Sequence, residues 1–308
     1  MLIFRKLEAP SKSEASSKPE ASSNQEVKKT IDNQKTKVME NKKRILITGA
    51  GSGFGEGAAI GLAKLGHFVI AGVQISPQVT ALRKKVADLK LEKKLRVEKL
   101  DILDPYDVKY ALTWDIDILF SNAGIGEAGP VFEIPIELVR RNFETNVFAP
   151  LALAQGFISK FINEKRKGKV VFTSSMGGLF TPPGFGIYVS TKHALESIAE
   201  AMSNELKKYN IQIQTVNPGA YLTGYNETMA DKPFRWLDDN ENFTKRAEMR
   251  QVFDSLLGTP EGRLDPEEMI DAMIRIVPSD TGKFRNVVPK FVEDMVKEQQ
   301  QKAWEITI

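Results

Sequence analysis

The chain has 308 residues, of which 42% are apolar, 27% are charged and none is cysteine, which excludes disulfides, thiolate nucleophiles and Cys-ligated metal sites. Because it holds only 2 histidines, the sequence predicts no metal site. The first 44 residues carry 11 Lys and Arg against 6 Asp and Glu, whereas the other 264 carry 32 against 34, so the body lacks the cationic face that nucleic-acid binding needs.

A disordered basic tail is predicted over residues 1–42. From residue 8 onwards this segment is rich in Ser, Lys, Glu, Asn and Gln and has no aromatic side chain, so it cannot bury enough surface to offset the entropy of ordering. Two interpretations stay open, a basic tether and a dispensable extension. The sequence has no uninterrupted run of about 18 apolar residues, so no membrane span is predicted. The lack of cysteine is typical of a cytoplasmic protein.

Residues 43–308 alternate between short apolar runs and helical patterns. The predicted strands are Arg44–Thr48, Phe68–Val73, Leu95–Val97, Ile116–Phe120, Val170–Thr173 and Ile211–Val216. Helices are predicted over Gly57–Leu65, Ile136–Lys165 and Tyr188–Tyr209, and only one short helix fits between Asp104 and Asp117. This alternation predicts a single α/β domain, a doubly wound and mostly parallel sheet with helices on both faces. A nucleotide is expected at the first turn of such a sheet.

A glycine-rich loop follows the first predicted strand and opens a helix. Residues 48–55 read TGAGSGFG, and glycines let the backbone turn tightly and approach a pyrophosphate at the helix N-terminus. The position between strand and helix favours dinucleotide binding over an ordinary turn. The candidate cofactor contacts in this loop are Gly49, Ser52, Gly53, Phe54 and Gly55.

The spacing Thr-Gly-x3-Gly-x-Gly resembles the short-chain dehydrogenase/reductase family, and further motifs follow in that family's order to about residue 288. These motifs are Asn122-Ala123-Gly124 after a strand, Asn146 in the next helix, Ser175 at a later strand end, Tyr188-x3-Lys192, and Pro218-Gly219 with Thr223. The runs at residues 122–130 and 146–150 look most like the hydroxysteroid and retinol dehydrogenase-like branch.

That resemblance implies a Rossmann fold and hydride transfer between nicotinamide C4 and a carbonyl or secondary alcohol carbon. Tyr188 would be the general acid or base, with a pKa lowered by the Lys192 ammonium and the oxidised nicotinamide ring. Lys192 would also hold the nicotinamide ribose. Ser175 would donate a hydrogen bond to the substrate oxygen, and Asn146 would anchor a water chain. The adjacent Ser174 is the alternative serine, but the separation of 13 residues from Tyr188 favours Ser175.

The end of the second strand bears on the cofactor type. NAD enzymes usually have Asp or Glu there, whereas this sequence has Val73. Loss of the carboxylate removes repulsion toward a 2′-phosphate, which favours NADP(H), with NAD(H) as the alternative. Asp101 and Ile102 match the family's adenine contacts. The remaining cofactor contacts implied by the motifs are Asn122, Ala123, Gly124, Tyr188, Lys192, Pro218, Gly219 and Thr223.

A substrate lid is expected around residues 221–263. Its aromatic residues Phe234, Trp236, Phe243 and Phe253 would either cap a lipophilic substrate or pack a helix pair. The predicted function is an NADP(H)-dependent oxidoreductase acting on a small carbonyl or alcohol substrate. The alternative is a non-catalytic dinucleotide-binding sensor or regulatory protein. Surplus apolar residues in the helix predicted at Tyr188–Tyr209 indicate a homodimer or homotetramer.

Overall fold

The structure is a computed structural model that describes residues 42–307. The predicted tail of residues 1–42 therefore lies outside the described residues, except for Lys42. The described strands are β1 (Arg44–Thr48), β2 (Phe68–Val73), β3 (Leu95–Lys99), β4 (Ile118–Ser121), β5 (Gly168–Thr173), β6 (Ile211–Pro218) and β7 (Arg285–Val288). The described α-helices are α1 (Gly53–Lys64), α2 (Ser76–Asp88), α3 (Pro105–Ala111), α4 (Ile136–Phe143), α5 (Ala149–Asn163), α6 (Gly186–Glu205), α7 (Tyr225–Asp231), α8 (Arg246–Leu257), α9 (Pro266–Ile276) and α10 (Lys290–Ala303).

The strands of the described region form one parallel sheet in the order β3-β2-β1-β4-β5-β6-β7. Side chains alternate along β1, so Ile45 and Ile47 enter one apolar cluster and Leu46 enters the other. Helices α1, α2 and α9 cover the first face, and α3, α5 and α6 cover the second. The predicted doubly wound α/β fold is confirmed.

The fourth strand begins later than the predicted run Ile116–Phe120. β4 starts at Ile118 because Asp117 binds across to β1, where its Oδ2 accepts the Arg44 N–H at 2.8 Å. The single short helix predicted before this strand is α3. Its N-terminus is capped by Asp104, whose side chain accepts the N–H groups of Tyr106 and Asp107.

The long helix predicted over Ile136–Lys165 is divided in the structure. A π-helical turn, Glu144–Phe148, separates α4 from α5, and such turns are frequent at functional sites. The apolar pattern also failed to predict β7, a short strand at the sheet edge whose residues are all half-buried. A strand without a buried face lacks the alternation on which the prediction depends.

Helix α6 begins and ends slightly before the predicted range Tyr188–Tyr209. None of its large apolar side chains is exposed within the described residues, although Ile198 and Met202 are only half-buried. A homodimer or homotetramer stays a prediction. Across residues 42–307, no helix combines the length and apolar character needed to cross a bilayer.

Hydrogen bonds tie together the carboxyl ends of three neighbouring strands. The Thr48 hydroxyl accepts the N–H groups of Asn122 and Ala123, each at 3.0 Å. The Asn122 amide in turn donates to the Thr48 carbonyl at 3.1 Å and accepts from the Thr173 hydroxyl at 3.1 Å. Strand order reverses between β1 and β4, and α/β sheets bind ligands in the crevice at such a point. The hydrogen-bond network therefore holds the backbone around this crevice in place.

Candidate active site

A cleft of about 640 Å³ opens at the carboxyl ends of β1, β4 and β5. It brings together most of the residues that the sequence motifs predict. Those lining it are Gly49, Ser52, Gly53, Phe54, Gly55, Asp101, Ile102, Asn122, Ala123, Gly124, Ser175, Tyr188, Lys192, Pro218, Gly219 and Thr223. The two predicted site residues outside this lining are Val73 and Asn146.

The glycine-rich loop has the backbone and the space that a pyrophosphate requires. Gly49 and Gly53 have φ angles of 65° and 54°, in the left-handed region that favours glycine. A Cβ on Gly55 would lie 2.4 Å from the Gly49 carbonyl oxygen, whereas the nearest atom to a Cβ on Gly53 is 3.9 Å away. The first N–H groups of α1 open onto this loop, and the Ser52 side chain does not cap them. The loop therefore fits a dinucleotide phosphate.

The end of β2 differs from the expectation for Val73. That side chain is fully buried in the apolar core, because alternation along the strand turns it inward. The next residue, Gln74, lines the cleft and donates to Asp101 Oδ2 at 3.3 Å. Gln78 also lines the cleft and accepts the N–H of Gln74 at 3.1 Å. The neutral amides of Gln74 and Gln78 thus line the cleft just beyond the end of β2. Val73, which the sequence assigned to the cofactor, does not.

Tyr188 is the third residue of α6, and it lines the cleft together with Ser175 and Tyr225. Burial raises the pKa of Tyr188 to about 12, while the two neighbouring hydroxyls act to lower it. Desolvation of the phenolate is the larger effect here, and a pKa lowered by Lys192 together with the oxidised nicotinamide stays a prediction. The phenol keeps its proton at neutral pH.

The two candidate serines have different surroundings. The Ser175 hydroxyl accepts the Gly177 N–H at 3.0 Å and interacts with Tyr188. The Ser174 hydroxyl is buried and has no hydrogen-bond partner among the described residues. A Cβ on Gly178 would lie 2.7 Å from the Ser174 hydroxyl oxygen, so that serine packs against the following turn. The geometry therefore favours Ser175 as the partner of Tyr188.

Lys192 lies one helical turn after Tyr188 and faces the same cleft. Its Nζ is 5.7 Å from the centroid of the Tyr188 ring and donates to the Thr173 carbonyl oxygen at 2.8 Å. Burial lowers the pKa of Lys192 to about 8, and the Glu196 carboxylate acts in the opposite direction. At neutral pH the group is therefore mostly an ammonium, close to the phenol that moves a proton.

Glu196 continues the same face of α6 and is a site residue that sequence reasoning missed. Its side chain is only 5% exposed. Oε1 accepts from Asn217 Nδ2 at 2.5 Å, and Oε2 accepts from Arg285 Nε at 2.8 Å. The spacing of four residues from Lys192 was the available signal, since i and i+4 side chains share a helix face.

Asn146 is held within the π-helical turn by protein groups. Its Oδ1 accepts the Ile125 N–H at 2.8 Å, and its Nδ2 donates to the Ile125 carbonyl oxygen at 2.7 Å and to the Thr191 hydroxyl at 3.0 Å. The side chain therefore joins the loop after β4 to α6. The expected water chain at Asn146 stays a prediction.

The aromatic residues of the 221–263 segment divide between packing and exposure. The Phe253 ring lies 5.2 Å from Phe185 and 6.3 Å from Phe234 between centroids, so these residues pack α8 against the loop before α6. Trp236 packs over Gly129, where an added Cβ would lie 2.6 Å from its ring. Phe243 is 85% exposed. Most of the aromatic residues of this segment therefore pack helices.

A buried ion pair joins this segment to the loop after β4, and neither partner was predicted. Lys232 Nζ donates to Glu127 Oε1 at 2.8 Å and to the Gly126 carbonyl oxygen at 2.6 Å. The Glu127 side chain is 4% exposed. Next to this pair, a Cβ on Gly126 would lie 2.3 Å from the Met229 sulfur. Helix α7 is thereby fixed beside Tyr188, and Met229 and Lys232 line the cleft.

Comparison with known proteins gives one family and many structures of the same fold. Residues 43–233 match the family model described as short chain dehydrogenase. The chain is 30% identical over 244 residues to the uncharacterized oxidoreductase YusZ of Bacillus subtilis (strain 168), covering 77% of this chain and 85% of that protein.

Two solved structures show the same fold at low identity. A short chain dehydrogenase/reductase from Burkholderia phymatum, in complex with NAD, has a TM-score of 0.70 at 21% identity, covering 86% of this chain and 95% of that one. The L-sorbose reductase from Gluconobacter frateurii, complexed with NADPH and L-sorbose, has a TM-score of 0.66 at 22% identity, covering 82% and 96%.

Proposed function

The chain belongs to the short-chain dehydrogenase family, and on that premise we propose that it is a nicotinamide-dinucleotide-dependent oxidoreductase that interconverts a ketone or aldehyde and an alcohol. The observation that carries the proposal is the convergence of Tyr188, Ser175 and Lys192 on a cleft that also contains the glycine-rich loop. A phenol, a second hydroxyl and an ammonium beside one cleft are the groups that proton transfer at a carbonyl oxygen requires.

The cofactor would bind along the cleft through residues of this chain. The glycine-rich loop and the N-terminus of α1 would hold the pyrophosphate, and Lys192 would hold the nicotinamide ribose. Asp101 and Ile102 would contact the adenine, and the other cofactor contacts would come from Asn122, Ala123, Gly124, Pro218, Gly219 and Thr223. When bound, the nicotinamide supplies a hydride to the substrate carbon or accepts one from it.

Tyr188 is proposed as the general acid in the reducing direction. Because burial raises its pKa to about 12, the phenol is protonated at neutral pH and can give its proton to the carbonyl oxygen as the carbon receives the hydride. The products are an alcohol and a Tyr188 phenolate, which regains a proton from solvent. The Ser175 hydroxyl donates to the same substrate oxygen, and the Lys192 ammonium stabilises the phenolate.

NADP(H) is the proposed cofactor, with NAD(H) as the alternative. No carboxylate of β2 lines the cleft to repel a 2′-phosphate, since Gln74 occupies that place. Amides can donate hydrogen bonds to either a phosphate or a hydroxyl, so the preference is expected to be modest. The L-sorbose reductase neighbour is complexed with NADPH and the Burkholderia neighbour with NAD.

Residues 221–263 are proposed as the substrate lid of the single domain that spans 43–308. Met229 and Lys232 line the cleft near Tyr225, and the Lys232 ammonium is already bound to Glu127, so the lid offers mainly the apolar Met229 side chain to the substrate. Such a lining suits a lipophilic carbonyl compound.

The test is a panel of ketones, aldehydes and alcohols, assayed by the absorbance of the reduced nicotinamide. We expect substrate-dependent oxidation of NADPH with at least one ketone or aldehyde. The alternative, a dinucleotide-binding sensor, predicts saturable nucleotide binding with no turnover on the whole panel. No observation of the site favours that alternative, because a sensor needs no proton-transferring phenol.

A further inference from the structure

Tyr225 brings a second phenol to the reacting hydroxyl of Tyr188. It is the first residue of α7 and comes from the segment 221–263, whereas Tyr188 comes from α6. The two ring centroids are 5.8 Å apart with the planes tilted by 59°. Both side chains also line the cleft. Both rings belong to one packed cluster that also contains Val189 and Met229.

The surroundings of the two phenols decide which of them keeps its proton. Burial raises the pKa of both, but the Ser175 and Tyr225 hydroxyls act to lower the pKa of Tyr188. Tyr188 and the Glu127 carboxylate instead raise the pKa of Tyr225, which lies well above the ordinary value. Because the Glu127 carboxylate opposes a negative charge on Tyr225, we expect Tyr225 to stay a neutral donor when Tyr188 loses its proton.

Tyr225 is held in position by its own helix and by the buried ion pair. Its N–H donates to the Thr223 hydroxyl at 3.3 Å, and the preceding Gly224 has a φ of 78°, which turns the chain into α7. At the other end of the helix, Lys232 binds Glu127 and the Gly126 carbonyl. Tyr225 is thus part of a short helix that is held at both ends, so its position does not depend on a mobile loop.

We propose that Tyr225 is a positioning residue that donates a hydrogen bond to the Tyr188 oxygen as the phenolate forms, so that seating of α7 prepares the proton transfer. This inference rests on the proposed function. Hydrogen bonds of catalytic groups often tighten only when charge develops, and a bond to a charged acceptor is stronger than a neutral one. The Ser175 hydroxyl is then left to the substrate oxygen.

The experiment compares the pH dependence of kcat/KM for the full chain and for Tyr225→Phe, in the alcohol-oxidising direction that requires a phenolate. Loss of the donor should move the ascending limb to higher pH and lower kcat about tenfold at neutral pH, the effect expected for one hydrogen bond to a charged group. Affinity for NADPH, measured by fluorescence, should stay unchanged, because Tyr225 donates to Tyr188 and not to the cofactor. Tyr209→Phe, at an exposed surface tyrosine, is the matched control and should not move the limb.

A second readout is independent of turnover. Ultraviolet titration of tyrosinate in the full chain and in Tyr188→Phe identifies the Tyr188 transition by difference, and Tyr225→Phe should shift that transition to higher pH. An unshifted titration and an unshifted kcat/KM limb in folded Tyr225→Phe would overturn the inference. Absence of turnover by the full chain on every substrate would overturn the proposed function instead, and the titration would still decide the role of Tyr225.

Discussion

The Glu196 carboxylate accepts a hydrogen bond of 2.8 Å from Arg285 Nε, and this pair lies one helical turn beyond Lys192. Because Glu196 is almost completely buried, its charge acts on Lys192 with little screening by water. It opposes the burial that lowers the pKa of Lys192 to about 8. Glu196 therefore helps to keep the ammonium that the proposed mechanism needs.

In the carbonyl-reducing direction, in which Tyr188 starts protonated, Glu196→Gln should shift the descending limb of kcat/KM to lower pH. Activity that needs the Lys192 ammonium is present below the pKa of that group and is lost as the pH rises through it. Removing the nearby anion lowers the pKa further, so the loss begins at lower pH. The measurement is a pH profile of kcat/KM between pH 6 and about 10.

Glu200→Gln is the matched control for that variant. Glu200 binds the same Arg285, through Nη2 at 3.3 Å, but its side chain is 62% exposed, so its charge is screened. The descending limb of kcat/KM for Glu200→Gln should lie at the same pH as for the unsubstituted protein. Equal shifts in the two variants would contradict a specific role for Glu196.

Tyr188→Phe should lower kcat by about a hundredfold to ten-thousandfold, the range expected for general acid catalysis. The ring remains, so packing with Tyr225 and Val189 and the affinity for NADPH should change little. Steady-state kinetics and NADPH fluorescence measure the two properties on one preparation. A variant with undiminished kcat would show that another group donates the proton.

The motif positions and the central strands could be predicted because local patterns encode them. The buried positions of β1 and β2 are apolar except for Thr48 and Gly72. The loop of residues 48–55 has glycine at the two positions with positive φ, Gly49 and Gly53. Ser175, Tyr188 and Lys192 were predicted from their order along the chain, and the structure brings them to one cleft.

The remaining parts of the site depend on contacts between distant segments. Tyr225 meets Tyr188 only after α7 packs on the loop after β4, and Lys232 reaches Glu127 across 105 positions of the chain. Val73 was assigned to the cofactor because it ends a strand, but its side chain packs in the core between the sheet and the helices of one face, and the next residue, Gln74, lines the cleft. No local pattern encodes these pairings.

Gln74→Asp should shift cofactor preference toward NAD(H). A carboxylate at this cleft position repels a 2′-phosphate and can accept hydrogen bonds from ribose hydroxyls. We expect kcat/KM for NADPH to fall about tenfold relative to NADH, equivalent to about 1.4 kcal/mol. Gln74→Asn, which keeps the amide, is the control, and an equal ratio in both variants would argue against a role for charge here.

Val73→Asp should act on stability, because the structure buries that side chain completely. An aspartate there would place an unpaired carboxylate in the apolar core, at a cost of several kcal/mol unless it takes up a proton. Thermal unfolding should show a lower Tm than for Gln74→Asp. A stable Val73→Asp variant with altered cofactor preference would instead show that position 73, and not position 74, controls the choice of cofactor.

Lys232→Met should both destabilise the protein and weaken substrate binding. The change leaves the Glu127 carboxylate buried without its cation and the Gly126 carbonyl without its donor, a loss of about 1–3 kcal/mol for an unsatisfied buried group. Because α7 would then be held less firmly beside Tyr188, KM should rise more than kcat falls. The double variant Glu127→Gln, Lys232→Met removes the uncompensated charge, so it should recover part of the lost Tm without restoring KM. Full recovery of KM in the double variant would mean that the ion pair does not position α7, and an unchanged Tm in Lys232→Met would mean that Glu127 finds another partner.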